Sequence, residues 1–247
     1  MSTTDLDSGG LLGGDTRAGR VLRNALSPAF GAILAHPFVR GLMDGTLPRN
    51  AFARYIGQNY LYLASFARAL ALLASRGQSG EDTELFGQRA AFTIATERTF
   101  NAEMLDALGL DEHEVRHAEP GPVTLAYSSY VLATAALGER PEAYGAVLPC
   151  YLVYSGVGRA LARQGSPEPR YQRWIDTYVS AGFDEGVRGA QQAVERATAR
   201  LPDEALEGLT RAARTAGRYE WMFWEAAWTG ESWPNLDDLS EGPEKTV

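Results

Sequence analysis

Cys150 is the residue best suited to nucleophilic chemistry, and it is the only cysteine among 247 residues. Residues four positions apart share one face of a helix, so its thiol and the Tyr154 phenol are predicted to lie one turn apart. Pro149 is typical of a first helical turn, where the dipole and free N–H groups favour a thiolate. The alternative is a small apolar core residue, and a lone cysteine among Leu, Val and Tyr favours that alternative.

Glu220 is the second candidate, because it is a single carboxylate within the aromatic stretch 219–224. Burial there would raise its pKa by desolvation, which suits proton transfer near neutral pH. A surface carboxylate on an amphipathic helix explains the same spacing equally well.

Polar and aromatic residues within other apolar segments are candidates for binding. Asn59 and Tyr62 are three positions apart on one face of a predicted helix, although a solvent-facing strip is favoured by spacing alone. Tyr127, Tyr154 and Tyr178 each fit core packing better than binding when taken singly.

Known metal and nucleotide patterns find little support. A di-iron bundle needs two Glu-x-x-His pairs, and the chain has one, Glu114 with His117. His36 and His113 have no evident metal partners, and neither a P-loop nor a Gly-x-Gly-x-x-Gly pattern occurs. The sequence therefore predicts no metal and no cofactor.

Composition limits the class of protein. The net charge of −8 argues against nucleic-acid binding, and the apolar runs are too short to span a bilayer. A single cysteine excludes an internal disulfide framework and fits a reducing compartment, so we expect a cytoplasmic protein with no membrane partner. Residues 1–16 are predicted to be a disordered leader, 17–234 one domain, and 235–247 a polar acidic tail, with Trp233 and Pro234 packed back against the body.

The elements that position these candidates are predicted to be helices, because no segment shows sustained period-two alternation. The chain is predicted to be all-α, a single-domain helical bundle that encloses a pocket. Residues 37–47 are predicted to be a connection. The first four predicted helices cover about residues 17–36, 48–75, 81–108 and 123–137. The helix that contains Cys150 follows and is predicted to end before residue 165. Two further helices are predicted at about 170–199, with possible kinks at Gly182 and Gly186, and at 202–228.

Several segments together resemble the TenA family, the thiaminase II proteins. They occur in that family's order from about residue 17 to 234. They are His36-Pro37-Phe38, the stretch 42–48, Phe52-x-x-Tyr55 with the stretch 58–63, Leu148-Pro149-Cys150 through Tyr154, Tyr171-x-x-Trp174-Ile175-x-x-Tyr178 with Phe183, Tyr219-Glu220-Trp221-x-Phe223-Trp224, and Trp233-Pro234.

The resemblance implies a haem-oxygenase-like fold without haem or metal, a homotetramer, and hydrolysis of aminomethyl-pyrimidine or thiamin to hydroxymethyl-pyrimidine in thiamin salvage. Cys150 matches the nucleophile that adds to the pyrimidine ring, and Glu220 matches the carboxylate that handles protons beside it. The positions that match pocket residues are Asn59, Tyr62, Tyr127, Tyr154 and Tyr178.

Two positions depart from the family pattern. Asn59 stands where the family commonly has Asp, and Gly156 where it commonly has Glu. An Asn amide offers one acceptor and two donors, unlike a carboxylate. Three functions stay open: the thiamin-salvage hydrolase, a TenA-like enzyme for another heterocycle, and a binding or regulatory protein without turnover. Cys150 and Glu220 favour an enzyme, whereas Asn59 and Gly156 favour a changed substrate.

Overall fold

A computed structural model describes residues 15–96, 99–100 and 102–236. Most of the predicted leader and tail lie outside these residues. The described part of the chain contains no strand, which confirms the all-α prediction. Its helices are α1 (Arg17–Ala35), α2 (Pro37–Asp44), α3 (Arg49–Ser75), α4 (Gly80–Thr96), α5 (Ala102–Leu108), α6 (Glu112–His117), α7 (Pro122–Leu137), α8 (Arg140–Ala162), α9 (Pro169–Tyr178), α10 (Ala181–Thr198) and α11 (Ala205–Thr229).

Helix α8 forms the centre of the bundle. Every residue from 143 to 158 is buried, as expected for a helix that is apolar on all sides. It packs against α7, α9, α10 and α11, and α3 packs against α4, α7 and α11. The helices α3, α7, α8 and α11 therefore bring the predicted site residues toward one another.

The prediction that Pro149 lies in a first helical turn is wrong. Helix α8 begins at Arg140, nine residues earlier in the chain, and a capping box between Glu139 and Glu142 satisfies its N-terminal amides. Pro149 is thus in the helix interior. The dipole of a helix N-terminus acts only within its first turn, so it does not act on Cys150.

Three other predicted boundaries are also wrong. Residues 37–47 are mostly helical, because the His36 imidazole accepts a hydrogen bond from the Phe38 N–H at 3.1 Å and starts α2. The predicted helix 170–199 is divided at Ser180, whose side chain caps α10, rather than kinked at its glycines. Within the predicted helix 81–108, α4 and α5 are helical, and the stretch that joins them lies partly outside the described residues. The last helix begins at Ala205 rather than near residue 202.

The segment after α11 returns to the body of the protein, as predicted. The Trp233 indole N–H donates to the Pro120 carbonyl oxygen at 2.9 Å. This bond holds the chain across the start of α7. Within the described residues, no helix combines the length and apolar character that crossing a membrane requires.

Candidate active site

Cys150 lies at a cavity enclosed mainly by α3, α4, α8, α9 and α10, which we call the Cys150 cavity. Its volume is about 620 Å³, including the part open to solvent. Three other predicted site residues line it with Cys150: Asn59, Tyr154 and Tyr178. The rest of the lining is largely apolar and aromatic: Leu63, Phe66, Phe92, Thr93, Phe100, Tyr151, Thr177 and Phe183. Such a lining suits a flat heterocycle.

The Cys150 thiol is held in its neutral form. The residue is 7% exposed, and burial raises the pKa of its thiol well above the usual value, with the nearby Glu220 carboxylate adding to the rise. The predicted thiolate is therefore wrong for the protein without ligand. A thiol of this kind requires a base to remove its proton as the sulfur attacks.

Glu220 supplies a group that can exchange protons near neutral pH. It is 1% exposed on α11, and burial raises the pKa of its carboxyl to about 8, although the hydrogen bond from Tyr127 opposes the rise. The Tyr127 hydroxyl donates to Glu220 Oε1 at 2.6 Å. The buried interpretation of Glu220 is thus confirmed, and its pKa lies in the range useful to a general acid or base.

Tyr62 and Tyr127 lie behind the cavity wall rather than in its lining. Their rings stack with centroids 4.8 Å apart and an interplanar angle of 24°. The buried Tyr62 hydroxyl makes no hydrogen bond of normal geometry with a described residue. It nevertheless lies close enough to the Cys150 thiol to oppose part of the rise in the thiol pKa. Tyr62, Tyr127 and Glu220 thus form a polar cluster directly behind Cys150.

The Asn59 amide is available to a ligand. Asn59 is 3% exposed and lines the cavity from α3. No described residue hydrogen-bonds its side chain. Because this polar side chain lies in a largely apolar lining, its amide is a natural recognition point for a polar edge of a bound ring.

Aromatic packing fixes the positions of Tyr154 and Tyr178 in the lining of the Cys150 cavity. The Tyr55 hydroxyl donates to the Tyr154 hydroxyl at 3.2 Å, and the Tyr154 and Tyr178 ring centroids are 4.8 Å apart. Trp174 packs on Tyr178 with centroids 4.6 Å apart. The lack of a side chain at Gly158 also lets α8 and α9 lie close together, because a Cβ at this position would lie 2.7 Å from the Tyr178 Cβ.

The departure at Gly156, which was expected to favour a changed substrate, lies outside the lining of the Cys150 cavity. A Cβ at this position would lie 2.7 Å from two carbons of the Phe30 ring. Phe30 is fully buried on α1, so its ring fills the space a side chain at 156 would need. Gly156 therefore serves the packing of α1 on α8 and does not line the Cys150 cavity.

Sequence reasoning missed several residues of this site. Leu63 and Phe66 line the cavity from α3 together with Asn59, and their spacing of four and seven positions from Asn59 is the helical signal that would have found them. Tyr151 follows Cys150 directly and also lines the cavity. No local spacing around Cys150 indicates Phe92, which comes from a helix distant in the chain. Phe183 belongs to a segment that resembles the family, but it was not assigned to the site.

No metal site competes with this interpretation among the residues described. There, no three His, Cys, Asp or Glu side chains come together in a way that would hold a metal ion. The His36 Nε2 lies 2.8 Å from Glu225 Oε2, and the His117 Nδ1 lies 2.8 Å from the His113 carbonyl oxygen. His36 and His117, which the sequence analysis set aside as metal ligands, thus each make a contact within the protein.

Comparison with solved structures shows the same fold. A TenA homologue protein from P. horikoshii OT3 is 28% identical, with a TM-score of 0.79 over 86% of this chain and 99% of that chain. A Shewanella denitrificans domain of unknown function with a heme oxygenase-like fold gives a TM-score of 0.68 over 92% of this chain and 96% of that chain, at 15% identity. The expected haem-oxygenase-like fold is confirmed.

Sequence comparison also finds similar curated proteins. An aminopyrimidine aminohydrolase from Bacillus subtilis is 31% identical over 85% of this chain and 89% of that protein. The thiamine biosynthesis multifunctional protein ThiED from Corynebacterium efficiens is 36% identical over 87% of this chain, which spans only 28% of that protein. The profile of the TENA/THI-4/PQQC family matches residues 23–230. The chain therefore belongs to the TENA/THI-4/PQQC family.

Proposed function

We propose that this protein is a thiaminase II-like hydrolase that breaks a C–N bond and releases hydroxymethyl-pyrimidine from aminomethyl-pyrimidine or thiamin. The observation that carries the proposal is the arrangement of Cys150 on the wall of an aromatic cavity with Glu220 directly behind it. The aminopyrimidine aminohydrolase relatives support this reaction type.

The proposed roles follow from the protonation states. The pyrimidine ring binds against Tyr154 and Tyr178, and the Glu220 carboxylate takes the Cys150 proton as the sulfur adds to the ring. Glu220 then donates that proton to the departing amine. Water adds to the exocyclic carbon and gives a proton to Glu220, and the carbon–sulfur bond breaks as Glu220 returns that proton to the Cys150 sulfur. A carboxyl pKa of about 8 lets one group perform these transfers near neutral pH. Tyr127 and Tyr62 position this carboxyl and the thiol.

A second candidate, a related enzyme acting on another heterocycle, is favoured by Asn59. Its unpaired amide can accept one hydrogen bond and donate two, whereas a carboxylate only accepts. Asn59 therefore suits a neutral ring that presents both an acceptor and a donor. The third candidate, a binding or regulatory protein, would keep the cavity without using the Cys150–Glu220 pair.

The experiment that tests these candidates is direct. Purified protein is incubated with thiamin, aminomethyl-pyrimidine and the formylamino precursor, and the products are followed by mass spectrometry. We expect hydroxymethyl-pyrimidine from at least one of them, and none from Cys150→Ser protein. Absence of product from all three, with measurable binding, would exclude the salvage reaction and favour the second or third candidate.

We also propose that the protein is cytoplasmic and forms a homotetramer. The lone cysteine supports a reducing compartment, and the family resemblance supports the tetramer. Exposed apolar side chains on the described surface, among them Leu125, Leu137 and Leu236, are consistent with burial between subunits.

A further inference from the structure

A second cavity lies on another side of α3 and is assigned no role by the proposed mechanism. We call it the Thr124 cavity. It measures about 610 Å³, including its open part. Residues of α3, α6, α7 and α11 and the segment after α11 line it, and those used below are Arg54, Gly57, Gln58, Thr124, Phe223 and Glu231.

Two helices place this cavity one turn away from the proton-handling cluster. On α7, Thr124 lines the cavity and Tyr127 follows three positions later. On α11, Phe223 lines the cavity and Glu220 precedes it by three positions. Residues at this spacing share a helical face and lie ~5 Å apart along the axis.

Helix α3 repeats the same offset. Gln58 lines the Thr124 cavity, and Tyr62 follows it by four positions on the same face. The Phe223 ring, which lines the cavity, packs on the Tyr62 ring with centroids 5.8 Å apart. On each of these three helices, a residue that lines the cavity therefore lies one turn from a residue of the cluster of Glu220, Tyr127 and Tyr62. The inner end of the Thr124 cavity thus faces this cluster.

The chemistry of the lining differs between the two cavities. Among the residues that the structure describes, no charged side chain lines the Cys150 cavity, whereas Arg54 and Glu231 both line the Thr124 cavity. Gln58 Oε1 accepts from the Gly121 N–H at 2.9 Å, and the buried Thr124 adds a hydroxyl to the lining. These groups suit water and small ions rather than an aromatic ring.

We propose that the Thr124 cavity is the route by which water reaches the Glu220 side of the site and the released ammonia leaves it, while the pyrimidine occupies the Cys150 cavity. The proposal rests on the hydrolase function proposed above. The overall reaction balances: the aminomethyl C–N bond breaks, water forms the new C–O bond, and its proton leaves with the amine as ammonia or ammonium. The Glu231 carboxylate lies on the path of that cation.

The test narrows this route without altering the reacting groups. A Cβ at Gly57 would contact only Val115, at 3.8 Å, so Gly57→Leu adds a side chain to the cavity without a backbone clash. Gly31→Leu is the matched control, because Gly31 is also a half-exposed helical glycine with nothing within 4 Å of an added Cβ. We expect kcat to fall about tenfold, equivalent to ~1.4 kcal/mol, in Gly57→Leu with KM unchanged, and neither to change in Gly31→Leu.

A readout that needs no turnover separates this proposal from the proposed function. Alkylation of Cys150 with N-ethylmaleimide fills the first cavity. Hydrogen–deuterium exchange of the Glu220 carboxyl is then followed by its infrared band, identified by comparison with Glu220→Gln. We expect exchange to continue in the alkylated protein and to slow in Gly57→Leu but not in Gly31→Leu.

The outcomes are distinct. The proposed route would be overturned if exchange of the Glu220 carboxyl stopped after alkylation. It would also be overturned if the exchange rate were the same in Gly57→Leu as in the natural protein. A raised KM with unchanged kcat in Gly57→Leu would also overturn it, since the Thr124 cavity would then hold the pyrimidine. If the natural protein turned over no pyrimidine, the proposed hydrolase function would be excluded. The exchange experiment would still show whether water reaches Glu220 through the Thr124 cavity.

Discussion

At the scale of single residues, the site depends on two acids that are both buried. Burial raises the pKa of the Cys150 thiol well above its usual value and that of the Glu220 carboxyl to about 8. Neither group is mainly ionised at neutral pH, so the reactive state is reached when Glu220 loses its proton and its carboxylate then takes the proton of the Cys150 thiol. This makes the pair the functional unit rather than either residue.

The first prediction concerns that pair. Removing either partner by Cys150→Ser or Glu220→Gln should abolish most turnover, and removing both should cost little more, because groups that act in one step show non-additive losses. The measurement is kcat for the two single variants and the double variant on the same pyrimidine. Strictly additive losses would show that the two side chains act in separate steps.

The second prediction follows from the raised pKa of Glu220. The carboxyl titrates near 8 when folded, against a usual value of 4.5, so the unfolded chain loses its proton first as pH rises. The free energy of unfolding should therefore fall between pH ~4.5 and ~8 by up to a few kcal/mol, at ~1.4 kcal/mol per pKa unit. Urea unfolding at several pH values should show a flatter profile for Glu220→Gln. Parallel profiles for the two proteins would contradict the raised pKa.

The third prediction is that Asn59 selects the ligand. A hydrogen bond to a charged group is worth about 1.5–3 kcal/mol, roughly a tenfold to hundredfold change in affinity. We expect Asn59→Asp to bind or turn over the aminopyrimidine better with the fold intact, measured by calorimetry and hydrolysis on the same compound. Equal affinity and equal rate would mean that Asn59 does not contact the ring.

The chemistry of the site was more predictable from sequence than its electrostatics. Family resemblance identified Cys150 and Glu220, and the structure places them together. The thiol pKa was predicted in the wrong direction, because it depends on what surrounds the side chain in three dimensions. The contacts that exclude water come from α3, α4 and α10, which no local pattern around Cys150 reveals.

At the scale of secondary structure, the periodicity of apolar residues predicted the positions of most helices. It predicted the ends of only a few of them. Long apolar segments such as α3 and α7 were predicted within a residue or two of their observed bounds. Pro149 misled the prediction of α8, since a buried central helix tolerates an interior proline whose cost is offset by packing. The boundary at Ser180 depends on a single capping bond, a weak signal next to the two glycines that follow it, Gly182 and Gly186.

The fourth prediction tests how α8 packs on α1. Gly156→Ala should lower the free energy of unfolding by about 1–3 kcal/mol, a cost typical of overpacking a core, because the new methyl group would meet the Phe30 ring. In the background of Phe30→Leu, the same Gly156→Ala change should cost less. Denaturant unfolding of the four proteins gives the coupling energy, and strictly additive effects would show that the Phe30 ring does not restrict position 156.

At the scale of the whole molecule, the all-α architecture was predictable because it depends on helical periodicity along the entire chain. The assembly of subunits was not, since it depends on surface shape. The fifth prediction is therefore a tetramer in solution. Light scattering coupled to size exclusion should give a mass near four times that of the chain, independent of dilution into the micromolar range. A monomer mass under those conditions would leave the exposed apolar residues without a subunit interface.

The contact between Phe30 and Gly156 also restricts the evolutionary history of the chain. A Cβ at position 156 would lie 2.7 Å from two carbons of the Phe30 ring, so the ring or the backbone must shift to hold both. A lineage that reached this pair from an ancestor with a side chain at 156 would lose less stability by acquiring the glycine before the aromatic ring, and a later return of that side chain would cost less after loss of the ring. The two positions, which lie on different helices and outside the Cys150 cavity, therefore form an epistatic pair whose order of substitution is favoured by packing.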